Sequence, residues 1–168
     1  LQISGTYFSN RFTDLIEFDY ACGFINLGKS VSRGWEWNLS ARFSQNLTAA
    51  LEYARIRSRE IDTGNPLLRR PDYKASVKLY YHFFDSANLA LQLTGIGRRE
   101  DNFYVGMTSS SRVTMPPFAL LNAILDADIF KNINAYLKLG NILNSRYELV
   151  KGYGNFGFSI EAGIRLKR

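Results

Sequence analysis

Apolar and polar residues alternate along most of this chain. One face of a central segment reads Tyr73, Ala75, Val77, Leu79, Tyr81, Phe83, against Asp72, Lys74, Ser76, Lys78, Tyr80, His82. The last segment repeats the pattern, with Phe156, Phe158, Ile160, Ala162, Ile164 and Leu166 set against Asn155, Gly157, Ser159, Glu161, Gly163 and Arg165. A period of two puts successive side chains on opposite faces of a strand, whereas a helix needs a period near 3.6. No segment carries a convincing helical pattern. The alternation predicts eight strands, roughly at 2–18, 26–43, 47–58, 72–84, 88–99, 117–130, 133–143 and 155–167.

Most of these strands exceed the ~5–6 residues usual in globular sheets and reach the ~9–11 that a tilted strand needs to cross a membrane. Their connections alternate in length. Ser44-Gln45-Asn46, Asp85-Ser86-Ala87 and Lys131-Asn132 are tight turns, while 19–25, 59–71, 100–116 and 144–154 are long and polar. Short turns at one end and long loops at the other mark outer-membrane barrels, with the long loops extracellular. Aromatics fall at two levels. Phe43, Phe83, Phe84 and Phe130 precede short turns, and Trp35, Trp37, Tyr73, Phe118 and Phe156 lie nearer the long loops. Two aromatic belts fit the two membrane interfaces.

One face of nearly every strand is apolar, and the other carries Glu36, Arg42, Glu52, Lys74, Lys78, Asp126, Lys138, Glu161 and Arg165. In a soluble sandwich or lipocalin-like barrel the apolar face would be the core. In a membrane barrel it meets lipid, and the charged face lines a wet lumen. Pattern alone does not separate these, but strand length, aromatic levels and loop asymmetry favour an antiparallel transmembrane β-barrel.

Composition narrows the class. The 168 residues leave room for one domain, and 12 Phe with 10 Tyr is too aromatic for a disordered chain. No apolar run reaches 18 residues, so no transmembrane helix is expected. The net charge of +6 is spread over loops and alternating segments and forms no single patch, so no nucleic-acid partner is expected. The single Cys22 excludes an internal disulfide and a Cys-based zinc site. His82 is the only His and reads as an ordinary solvated or lumen-facing residue. Asp14, Glu17 and Asp19 carry oxygen ligands suited to calcium, but a solvated loop is the simpler reading. No metal or cofactor is expected.

Three segments stand out in order along the chain: Asn26-Leu27-Gly28-Lys29 with Arg33-Gly34-Trp35-Glu36; Leu67-Leu68-Arg69-Arg70-Pro71; and Asn141-Ile142-Leu143-Asn144-Ser145-Arg146-Tyr147-Glu148 with Gly152-Tyr153. They resemble motifs of TonB-dependent outer-membrane receptors. Each is weak alone, but their order and spacing hold across essentially the whole chain. The Leu-Leu-Arg-Arg and Tyr-Glu-x-Val-x-Gly-Tyr wording looks most like the vitamin B12 (cobalamin) branch. The resemblance implies a 22-stranded barrel plugged by an N-terminal domain on which TonB pulls. Residues 1–168 would be its last eight strands, with plug and upstream strands absent. The family's last strand usually ends in an aromatic, whereas this chain ends Leu166-Lys167-Arg168, and Asn144, Ser145 and Arg146 replace the usual acidic wording.

The function implied is import of cobalamin or a ferric siderophore across the bacterial outer membrane, with no covalent chemistry. By resemblance, Arg69 and Tyr153 stand where the cobalamin branch contacts its ligand. Arg offers a fixed fork of donors, and Tyr a flat apolar face with a polar tip. Asn102, Tyr104 and Arg112, in the third long loop, are further candidates. Two other classes compete. A complete eight-stranded outer-membrane barrel would have its interior filled by side chains and a structural or adhesion role. A lipid hydrolase would need a nucleophile beside a base, and His82 lies at the opposite end from the long loops.

Overall fold

A computed structural model describes residues 1–19, 22–26, 28–83, 86–105 and 109–166, the side chains of 17–19, 105 and 109 excepted. Every regular element among them is a strand. The strands are β1 (Gln2–Thr13), β2 (Ile16–Asp19), β3 (Gly23–Asn26), β4 (Lys29–Arg42), β5 (Leu47–Glu60), β6 (Tyr73–Phe83) and β7 (Ala87–Ile96). There follow β8 (Arg99–Val105), β9 (Ser109–Met115), β10 (Phe118–Phe130), β11 (Ile133–Gly140), β12 (Glu148–Val150), β13 (Tyr153–Gly154) and β14 (Ser159–Leu166).

Eight of them form one antiparallel sheet in the order β1-β4-β5-β6-β7-β10-β11-β14. These correspond to the eight strands that the alternation predicts. The sheet ends on β1 and β14, which do not pair with each other among the described residues. A closed eight-stranded barrel would require that pairing.

Registers settle which residues share a face. Ile3, Leu39, Leu51, Val77, Leu93 and Leu121 run across six strands as one row of paired positions. On the opposite face a polar row passes through Ser4, Asn38, Glu52, Ser76 and Thr94. That face is knitted by ion pairs, Lys78–Glu52 at 2.7 Å, Lys138–Glu161 at 2.8 Å and Arg165–Asp126 at 3.1 Å. Among the described residues the apolar face has no second layer: Ile3, Leu39, Leu51, Val77, Leu93 and Ile160 are all exposed. A water-soluble sandwich would bury such a row, because a contiguous apolar surface of this kind is strongly disfavoured in water.

Part of each expected aromatic belt forms ring contacts. Tyr7 and Trp35 lie 4.8 Å apart between ring centroids, Trp35 and Trp37 6.4 Å, and Tyr53 and Tyr73 6.5 Å. At the other end Tyr81 stacks on Phe83 at 5.8 Å. Phe118 departs from expectation. It pairs with Ile96 and so takes the charged-face side, where it stacks on Tyr147 at 4.5 Å. Phe84, assigned to a belt from sequence, lies outside the described residues.

Backbone requirements explain two motif positions. A side chain at Gly34 would meet the Arg55 carbonyl oxygen at 2.3 Å and the Phe8 ring at 2.7 Å, so only Gly permits this crossing. Gly28 has φ +65° and donates its N–H to Asn26 Oδ1 at 2.7 Å, a turn in which Asn26 Nδ2 also reaches Asp14 Oδ1 at 3.1 Å. Leu27 of that motif is outside the described residues.

The long connections are not the plain loops that polarity suggested. Three carry their own hairpins, β2–β3, β8–β9 and β12–β13. The predicted strands 2–18 and 26–43 are therefore too long: their outer ends belong to a separate small hairpin, and Asp14 at φ 57° breaks the chain between β1 and β2. Likewise the last strand starts at Ser159, not 155, and β11 ends at Gly140, because Asn141 at φ 47° turns the backbone away.

Candidate functional site

Antiparallel order brings all four long connections to one end of the sheet. There Asp101, on β8, is fully buried and gathers three segments. Its Oδ1 accepts from Arg69 Nε at 2.9 Å and from the Asn102 N–H at 2.9 Å; its Oδ2 accepts from the Lys151 N–H at 2.7 Å. A buried carboxylate is costly unless its lone pairs are used, and here three donors use them. The segment 61–72, the β8–β9 hairpin and the segment 141–158 are thereby tied to one atom group. The backbone adds Arg69 N–H to Glu100 C=O at 2.7 Å.

A second knot lies beside it. The guanidinium of buried Arg99 donates to the Glu148 and Pro116 carbonyl oxygens and sits 5.3 Å over the Phe118 ring. Burial pushes the Arg99 guanidinium down from its ordinary value, with Asp101 and Glu148 opposing. Its Nε has no partner among the described residues. Glu148 is held below the usual carboxylate range, first by the Lys151 side chain at 3.2 Å and then by the Gly152 N–H at 3.4 Å. A cleft of about 770 Å³ opens here, lined by Arg99, Phe118, Tyr147, Glu148 and Lys151 among others. Its aromatic and charged walls suit a ligand with flat rings and oxygen acceptors.

Asn141 orients the segment that follows it. Its side chain donates to the Ser145 and Phe156 carbonyls at 3.0 and 3.3 Å and accepts the Ser145 N–H at 2.9 Å. Its own N–H is taken by Asn122 Oδ1 at 2.9 Å. Asn144, at φ 48°, accepts the Phe158 N–H at 3.0 Å. Asn144 and Ser145, two of the residues that depart from the family's acidic wording, therefore have a turn-forming role.

The five candidate residues fall as follows. Arg69 has only its Nε engaged among the described residues, and 44% of its side chain is exposed. Asn102 and Arg112 face each other across β8–β9, and Asn102 Nδ2 lies 3.5 Å from the Tyr104 hydroxyl. Arg112 donates to the Pro66 carbonyl and lies 3.8 Å from Glu100. Tyr153 projects from β13, strongly exposed. The first four thus share one loop cluster, and Tyr153 joins it through the Lys151–Asp101 bond. Sequence pattern does not single out Asp101, Arg99 or Lys151, and marks Glu148 only as part of a motif: charged residues in a polar stretch look solvated until the fold buries them.

The remaining candidates are quieter. His82 Nδ1 lies 2.7 Å from Asn88 Oδ1 in a register pair. Cys22 is exposed. Asp14 serves the turn described above; the side chains of Glu17 and Asp19 lie outside the described residues. No cluster of metal ligands occurs among the described residues.

A family model described as "TonB dependent receptor-like, beta-barrel" matches residues 1–142. The chain belongs to that family, a family of receptors and transporters and not of enzymes. Solved structures agree on the fold. The ferripyoverdine receptor of the Pseudomonas aeruginosa outer membrane is 15% identical with a TM-score of 0.77, over 98% of this chain and 24% of that one. The siderophore receptor PirA from Acinetobacter baumannii is 16% identical with a TM-score of 0.78, over 98% and 29%. The ferric-catecholate import receptor Fiu from E. coli K12 is 12% identical with a TM-score of 0.76, over 98% and 25%. This chain spans roughly a quarter of their length. No curated protein matches it.

Proposed function

We propose that this chain is the C-terminal part of a 22-stranded outer-membrane barrel that imports a scarce nutrient, energised by TonB acting on an N-terminal plug. The observation that carries this is the loop cluster anchored on Asp101 at one end of a single-layer sheet whose apolar face is bare. A lipid-facing sheet and a braced set of loops are what a receptor needs to hold a ligand over a lumen. A ferric siderophore is favoured over cobalamin, because the structural neighbours are receptors for such ligands and the cleft walls combine aromatics with cations. Arg69, Tyr153, Tyr104, Asn102 and Arg112 are proposed as ligand contacts, with Asp101 positioning Arg69.

The test is uptake by the source bacterium with and without the full-length gene. Labelled ferric siderophore and labelled cyanocobalamin are supplied to energised and uncoupled cells. Energy-dependent loss of iron uptake alone supports the proposal. Loss of cobalamin uptake alone reassigns the ligand, and no loss of either overturns it.

A further inference from the structure

The apolar face changes character toward the long connections. From the row holding Tyr7 and Trp35 onward, the same face of β1, β4 and β5 turns basic. Trp35 pairs with Arg55, Arg33 with Arg57, and Val31 with both Arg11 and Arg59. All these registers are unbroken, so the arginines share the side of Ile3, Leu39 and Leu51 and not that of Glu36 and Glu52. Arg11, Arg33, Arg55, Arg57 and Arg59 are exposed. From Arg55 to Arg59 the ladder rises about 14 Å along the strand.

Arg33 directly opposite Arg57 is an arrangement a sheet normally avoids, since like charges facing across strands repel. The side chain of none of the five is hydrogen-bonded or ion-paired to a described residue, although their backbones pair within the sheet. Arg33, Arg55, Arg57 and Arg59 border a cleft of about 930 Å³ that Arg70, Arg98 and the buried Arg99 also line, together with Tyr7 and Trp35. Two carboxylates line it as well. Glu100 is bonded to Thr114 Oγ1 at 2.8 Å with Arg112 at 3.8 Å, and Asp72 is mostly covered. The cleft therefore keeps an excess of unneutralised guanidinium groups immediately above an aromatic belt.

We infer that this outward arginine ladder is a binding site for phosphate-bearing lipid headgroups of the outer leaflet. Guanidinium forks match phosphate oxygens in pairs, and the belt below places acyl chains against the leucine rows. The bound anion removes the Arg33–Arg57 repulsion, so the lipid becomes part of the folded barrel. The inference rests on the outer-membrane reading above.

The test uses the full-length receptor purified in a neutral detergent. Retention of phosphatidic acid is compared with phosphatidylcholine of the same chains, with inorganic phosphate as competitor. The expected result is at least a tenfold preference for phosphatidic acid. Arg33→Gln/Arg57→Gln together should reduce it about tenfold, and Lys74→Gln on the opposite face should leave it unchanged. A melting curve identifies variants that fail to fold, in which case Arg59→Gln replaces the pair. Equal retention of the two lipids overturns the site, as does a double variant that binds normally. Displacement by inorganic phosphate at equal concentration reduces the site to a free-anion site and overturns the lipid assignment. Preference for an acidic protein without lipid preference also overturns it. If lipid preference fails while ferric siderophore uptake persists, this inference alone falls; if the protein does not fractionate with outer membranes, the membrane reading falls.

Discussion

Arg69 donates its Nε–H to Asp101 Oδ1 at 2.9 Å across 32 residues of chain, and the carboxylate that receives it is fully buried. That one contact joins a connection following β5 to a hairpin following β7. Asp101→Asn should therefore loosen three segments together. One lost acceptor beside three retained donors costs about 1–3 kcal/mol. The change should appear as proteolysis and faster hydrogen exchange in 61–72 and 141–158, with little change in the sheet. Uniform exchange across the sheet as well would refute a local brace.

Leu51 tests the apolar face. It sits in the row Leu39–Leu51–Val77 with 39% exposure. On a water-facing surface Leu51→Arg would be nearly neutral. Against lipid it should cost about 2–4 kcal/mol. Folding equilibria of the full-length protein into vesicles measure this directly, and a neutral result would contradict the lipid-facing assignment.

Asn141 is expected to be intolerant of change. Asn141→Ala removes three side-chain hydrogen bonds and leaves a positive-φ backbone without the residue that tolerates it. At about 1 kcal/mol per bond the loss is on the order of 3 kcal/mol. It should displace the Tyr147–Phe118 stack, and ligand affinity should fall even though Asn141 is not a proposed contact. Retained affinity would separate this turn from the cleft.

Glu148 gives a pH dependence with a definite sign. Its carboxyl is held low in the folded protein, by Lys151 first and Gly152 second. The stabilisation of the β12–β13 hairpin is therefore complete above the unfolded value of about 4.3 and is lost as pH falls through the lowered folded value. Hydrogen exchange at 148–154, corrected for intrinsic rates, should rise on acidification toward pH 3. In Glu148→Gln that rise should be absent; the same rise in the variant would assign it to another group.

Ligand contact is tested at Tyr153 and Arg69. Tyr153→Ala removes an exposed aromatic and should weaken siderophore binding about tenfold, or roughly 1.4 kcal/mol. Arg69→Lys keeps the charge but not the fork, so it should lose the Asp101 geometry. Equal affinities for wild type and both variants, by calorimetry, would remove them from the site.

The sequence by itself determined the eight long strands, their two unlike faces, the alternation of short and long connections and the family. Period-two alternation is local, so nothing distant is needed to read it. It also placed Arg69, Asn102, Tyr104, Arg112 and Tyr153 in the connections. Only the tertiary structure decided that the polar connection after β7 carries the β8–β9 hairpin and that Asp101 and Arg99 are buried. Burial of a charge depends on partners 32 to 50 residues away, and no local pattern encodes which partner arrives. The arginine ladder shows the same limit. Arg55, Arg57 and Arg59 alternate visibly on one strand with Leu51, but only the register sets Arg33 directly against Arg57.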